Sequence, residues 1–89
     1  MPEITLIIRN KVGLHARPAA LFVHEANKDK AEIVVRNGDV VANAKSILNV
    51  LTLGADQGST IIVSADGEDA GQALTALRAL AETGFGEAE

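Results

Sequence analysis

The sequence predicts an open two-layer α/β sandwich, a small sheet with helices packed over one face. Three observations carry that prediction. Apolar and polar residues alternate over residues 3–9 and 60–65, as in half-buried strands. Two longer stretches instead repeat their apolar residues at helical spacing. The outward set on the strand segments includes Thr5 and Ser64, so the second sheet face is partly wet. The order of elements reads β-α-β-β-α-β-α.

Taken in order, residues 3–9 place Ile4, Leu6 and Ile8 on one side of a first strand and Thr5, Ile7 and Arg9 on the other. Residues 10–14 break the alternation with a glycine. A helix follows, in which Ala19, Phe22, Val23 and Ala26 form a stripe, and it ends near Asn27. Residues 32–36 are short and β-branched and residues 40–43 return, with Asn37-Gly38 between them as the dipeptide that best tolerates the positive φ of a tight hairpin. Ser46 stands before the apolar run 47–53 and Gly54 after it, predicting a short helix with a serine N-cap and a glycine stop. Residues 60–65 form the fourth strand. Ala70, Ala73, Leu74, Leu77, Leu80 and Ala81 make the face of a last helix, entered by the acidic pair Glu68-Asp69 and stopped at Gly84. The tail 85–89 is expected to be loosely held.

Composition removes several function classes. With 89 residues, 47% of them hydrophobic, the chain supplies one core. Eight Lys and Arg against twelve Asp and Glu give a formal charge of −4, which repels polyanions, and Phe22 and Phe85 are too few for a base-stacking platform, so nucleic acid is not expected as a partner. The absence of cysteine excludes disulfides, thiolate metal sites and cysteine nucleophiles. No signal-like start is present, so a cytoplasmic protein is expected, and no apolar stretch approaches the roughly 18 residues needed to cross a bilayer.

One segment bends local rules toward chemistry. In Gly13-Leu14-His15-Ala16-Arg17-Pro18 a histidine occupies the helix N-cap, where Ser, Thr, Asp or Asn would cap better. Pro18 removes an N–H that the first turn would leave unpaired and presets φ for a helix. His15 therefore sits at the positive end of a helix dipole, with the amides of Ala16 and Arg17 and the Arg17 guanidinium placed to hold an anion against the ring. A nucleophile attacking phosphorus needs a free lone pair; the helix end opposes an imidazolium and then favours the dianion that forms. Charge-assisted hydrogen bonds of about 1.5–3 kcal/mol each and a helix-end contribution of about 0.3–2 hold a labile phosphohistidine without trapping it. A lone histidine is more often an ordinary surface residue, and His24, which lacks a partner at useful spacing, is read that way.

Gly-Leu-His-Ala-Arg-Pro-Ala at 13–19, together with Ala-Lys-Ser-Ile-Leu at 44–48, resembles the histidine-containing phosphocarrier (HPr) family of the bacterial phosphotransferase system. The similarity runs over 1–89 as a single HPr-like domain. The resemblance implies an open-faced sandwich: a four-stranded antiparallel sheet in order 1-4-2-3, covered on one face by three helices. It implies a carrier and not an enzyme. His15 would accept a phosphoryl group on Nδ1 from phosphorylated enzyme I, made with phosphoenolpyruvate, and pass it to IIA proteins or domains, while Ala16 and Arg17 bind the phosphate. No cofactor and no metal is implied, and a monomer is expected.

Ser46 matches a position that a dedicated serine kinase phosphorylates in many members, with recruitment of a transcriptional regulator in some lineages; its role as an N-cap explains it equally. Ile47, Leu48 and Leu51 read as a docking patch, since so short a helix cannot bury every apolar residue on one side, and Leu48 and Leu51 are assigned to the outward set. Val12 departs from the polar residue frequent there. The stretch 10–13 and Thr83-Gly84-Phe85 look like the nitrogen-related branch, whereas Lys45-Ser46-Ile47 looks like the sugar branch, so both remain open. His24, Asn27 and Asn49 replace frequent lysines, which weakens attraction to acidic partners. A regulatory docking module without phosphotransfer, or a small-ligand-sensing domain, are the competing readings; neither explains the His15 segment.

Overall fold

The computed structural model describes residues 2–86. Strand β1 (Glu3–Ile7) leads through a loop to helix α1 (Ala16–Ala26); β2 (Glu32–Asn37) and β3 (Val40–Asn43) form a hairpin, followed by the short helix α2 (Ile47–Leu51). Strand β4 (Thr60–Asp66) and helix α3 (Ala70–Glu82) follow, and a 3₁₀ turn at Gly84–Gly86 closes the described chain. The sheet runs β1-β4-β2-β3 and every neighbouring pair is antiparallel. The expected architecture and strand order are those observed.

Register explains why one face is covered and the other open. Ile4, Val63, Val35 and Ala42 lie in one row across the four strands, and all turn toward the helices. The adjacent row, Thr5, Ile62, Arg36 and Val41, belongs to the opposite face and is exposed or half-buried. Over the covered face, α1 presents Pro18, Ala19, Phe22 and Ala26, and α3 presents Ala70, Ala73, Leu74, Leu77 and Ala81. The alanines let the helices lie close, while fully buried Phe22, Ile33, Ile61 and Leu77 fill the space between, each contributing about 1.5–3 kcal/mol of apolar transfer.

Four local expectations are corrected. Phe85 is not loosely held: it is buried, in a left-handed conformation at φ 57°, and its ring lies 6.4 Å from that of Phe22. An aromatic within reach of an unfinished core is drawn into it, and residues 87–89 of the expected tail lie outside those described. Asn37 is the last residue of β2, paired with Val40, so the hairpin loop is Gly38-Asp39, with positive φ at Gly38 alone, as in a type II′ turn. The Asn37 side chain is thereby released to donate to the Leu53 carbonyl at 2.8 Å. Helix α2 stops at Leu51, because Thr52 and Leu53 tighten into i→i+3 bonds ahead of Gly54 at φ 62°. Asp69 occupies the N-cap position of α3 without capping it; its carboxylate accepts from the N–H groups of Lys30 (2.7 Å) and Ala31 (2.9 Å) and ties the start of α3 to the loop before β2.

Candidate functional site

Helix α1 begins where its sequence says it should. His15 is the N-cap, extended at φ −85° and ψ −169°, and its side chain makes no capping bond. Its carbonyl accepts from Ala19 N–H at 2.7 Å, the first bond of the helix. The ring is exposed, as are Ala16 and Arg17. Among the described residues no side chain or carbonyl accepts from the amides of Ala16 and Arg17, and the Arg17 guanidinium makes no ion pair. Pro18, buried in the first turn, has no N–H to leave unsatisfied. One helix end therefore presents an imidazole, two unused amides and a cation to solvent, the arrangement that binds a phosphoryl dianion.

The loop before His15 is pinned against the segment that follows α2. Gly13 adopts φ 66°, and a Cβ there would lie 2.7 Å from the Asp56 Cα atom, so no other residue fits. Leu14 is buried, and its N–H donates to the Ala55 carbonyl at 2.8 Å. Between these segments opens a cleft of about 350 Å³ lined by Leu14, His15, Ala16, Leu51, Gly54, Ala55 and Asp56. A larger groove of about 490 Å³ runs between β2, β3 and α2 beside Lys45 and Asn49, but it contains none of the His15 group. Chemistry follows the groups that can react, and these lie in the smaller cleft.

The structure thus brings His15, Ala16 and Leu51 into one cleft, with Arg17 at the same helix end. Leu48 is 73% exposed, Leu51 and Ile47 are 40% and 37% exposed, and Val50 between them is fully buried, so the outward assignment of Leu48 and Leu51 agrees with the fold and Ile47 joins them. Ser46 lies outside the cleft. It is half-buried at the N-cap of α2, and its Oγ accepts from the Asn49 N–H at 3.4 Å and from Asn49 Nδ2 at 3.1 Å. His24 is exposed in the last turn of α1. Two residues near His15 escaped sequence reasoning. Asp56, in the polar segment 56–59 before β4, lines the His15 cleft, and Asn10, in the loop before Gly13, is buried with its Nδ2 donating to the Gly13 carbonyl at 2.7 Å. A loop asparagine carries no sequence signal that separates an inward brace from a solvated side chain.

Fold and helix end have the features expected of a phosphocarrier. The family described as the PTS HPr component phosphorylation site matches residues 2–83. The phosphocarrier protein HPr of Haemophilus influenzae is 46% identical over 81 residues, covering 91% of this chain and 93% of that protein. The HPr-like protein Crh of Halalkalibacterium halodurans is 43% identical over 82 residues, covering 92% and 98% of the two chains. The crystal structure of HPr-C-His from Thermoanaerobacter tengcongensis superimposes with a TM-score of 0.96 at 47% identity, over 100% of each chain. The chain belongs to the HPr family of phosphocarriers of the phosphotransferase system. Among the described residues no helix is long and apolar enough to cross a membrane.

Proposed function

We propose that His15 accepts a phosphoryl group on Nδ1 from phosphorylated enzyme I and passes it to a IIA protein or domain. The observation that carries this reading is the exposed, uncapped histidine at the start of α1, beside two amides with no other acceptor. The Nδ1 lone pair forms the new N–P bond as the bond from phosphorus to enzyme I breaks, and the same bond breaks again when a IIA nucleophile attacks. The Ala16 and Arg17 amides and the Arg17 guanidinium bind the phosphoryl oxygens, where their fixed positions require no reorganisation as charge arrives. No turnover occurs on this chain alone. Ile47, Leu48 and Leu51 supply the apolar contact that excludes water around the transfer, a surface left outward by a helix that buries only Val50.

Ser46 is the proposed regulatory site. A phosphate on its Oγ would replace the acceptor role toward Asn49 and add negative charge beside the docking helix, weakening docking without unfolding α2. The test of the carrier reading is direct. Enzyme I and labelled phosphoenolpyruvate should place an acid-labile, base-stable phosphate on the wild-type protein and none on His15→Ala; equal labelling of both would remove it.

A further inference from the structure

Asn10 is 0% exposed, an unusual position for a carboxamide in a loop five residues before a reactive histidine. Its Nδ2 donates to the Gly13 carbonyl at 2.7 Å, and the Gly13 N–H donates back to the Asn10 carbonyl at 3.2 Å. The Gly13 carbonyl belongs to the same peptide unit as the Leu14 N–H, and that N–H donates to the Ala55 carbonyl at 2.8 Å. The peptide plane joining Gly13 to Leu14 is therefore held at both of its polar atoms, by Asn10 on one side and by the segment after α2 on the other. That plane sets the direction in which the chain reaches His15 and the first amides of α1. Val12, exposed in the same turn, has no polar atom on its side chain with which to do this work. On the far side a Cβ on Gly84 would lie 3.9 Å from the Asn10 side chain, so the 3₁₀ turn that follows α3 passes close to the brace.

We propose that Asn10 is a positioning residue of the phosphoryl-accepting site: its carboxamide fixes the Gly13–Leu14 peptide, so that the His15 ring and the Ala16 and Arg17 amides converge on one phosphoryl group. The inference rests on the carrier reading. Without the Nδ2 donor the peptide is held only through the Leu14 N–H and can tilt about that bond, and a displacement of about 1 Å at a reacting atom is enough to slow transfer about 10- to 100-fold.

The experiment compares the wild type with Asn10→Asp, which keeps the shape but loses the donor, and with the milder Asn10→Ser. Circular dichroism first establishes a temperature at which each is folded. Phosphoryl uptake from enzyme I is then measured across carrier concentration, and ¹H–¹⁵N spectra of the unphosphorylated proteins are recorded. The expected result is a fall in kcat of about 10-fold or more with KM changed less than two-fold, since the docking surface of α2 is untouched, together with displaced Leu14, Ala16 and Arg17 amide resonances. Wild-type kcat in a folded variant, or a defect confined to KM, overturns the proposal, as do unmoved resonances. If the wild type itself takes no phosphate the carrier reading fails, and the amide resonances alone then decide whether Asn10 sets this helix end.

Discussion

Gly13 sits where a backbone carbonyl and the next Cα press against it, at a φ that side chains avoid, and two residues later the chain delivers the imidazole. The position couples a steric demand to a chemical one. Gly13→Ala should cost more than about 2 kcal/mol in a urea melt, the sum of the left-handed penalty and the displacement of the Ala55–Asp56 backbone. Ala at the loop glycines Gly38 and Gly54, where a Cβ meets nothing within 4 Å, carries the conformational penalty alone. At this scale the motif around His15 was fully legible, because a histidine at an N-cap followed by Ala, Arg and Pro contradicts local preference and calls for a chemical explanation. Asn10 was not legible. Whether a loop carboxamide points inward depends on a carbonyl three residues on and on the approach of the 3₁₀ turn after α3, and neither leaves a trace in local spacing.

Helix α2 combines one core residue with an apolar surface turned outward. Helix α2 buries Val50 fully and leaves Leu48 and Leu51 outside, so its residues separate stability from binding. Leu48→Ser should change stability by no more than about 0.5 kcal/mol, yet weaken enzyme I binding about 5- to 30-fold by titration calorimetry. Val50→Ala should do the reverse, costing about 1–3 kcal/mol with binding retained in the folded protein. Element type and position were readable because strand and helix periods separate cleanly here. The ends were less so. Helix α2 closes two residues early, where Thr52 and Leu53 tighten into i→i+3 bonds, and the hairpin turn shifts by one, where Asn37 pairs with Val40 and its side chain reaches the Leu53 carbonyl.

Across the whole molecule, long-range ties join parts that sequence treats as separate. Phe85 packs on Phe22, bringing the segment after α3 back to α1, and Asp69 grips the amides of Lys30 and Ala31. The Lys30 amide is the main reason that the Asp69 carboxyl titrates below its ordinary value, with the Ala31 amide and the charge of Lys45 acting in the same direction. A lowered carboxylate stabilises the fold above the ordinary aspartate value near pH 4 and loses that contribution as pH falls through the folded value. Asp69→Asn should therefore lower Tm at pH 7, and the gap from wild type should narrow as both are acidified below about pH 4 in calorimetric scans. The strand order was accessible only through family resemblance, because hydropathy assigns faces and not neighbours. Both tertiary ties escaped local reading, since they join residues dozens of positions apart.

The helix end at His15 is tested most directly by NMR of the phosphorylated protein. After treatment with enzyme I and phosphoenolpyruvate, ³¹P coupling should appear at His15 Nδ1, and the Ala16 and Arg17 amide protons should move strongly downfield as they bond the phosphoryl oxygens, with most other amides unmoved. Phosphate on another residue, or a phosphorylated His15 that leaves those two amides where they were, would contradict the arrangement.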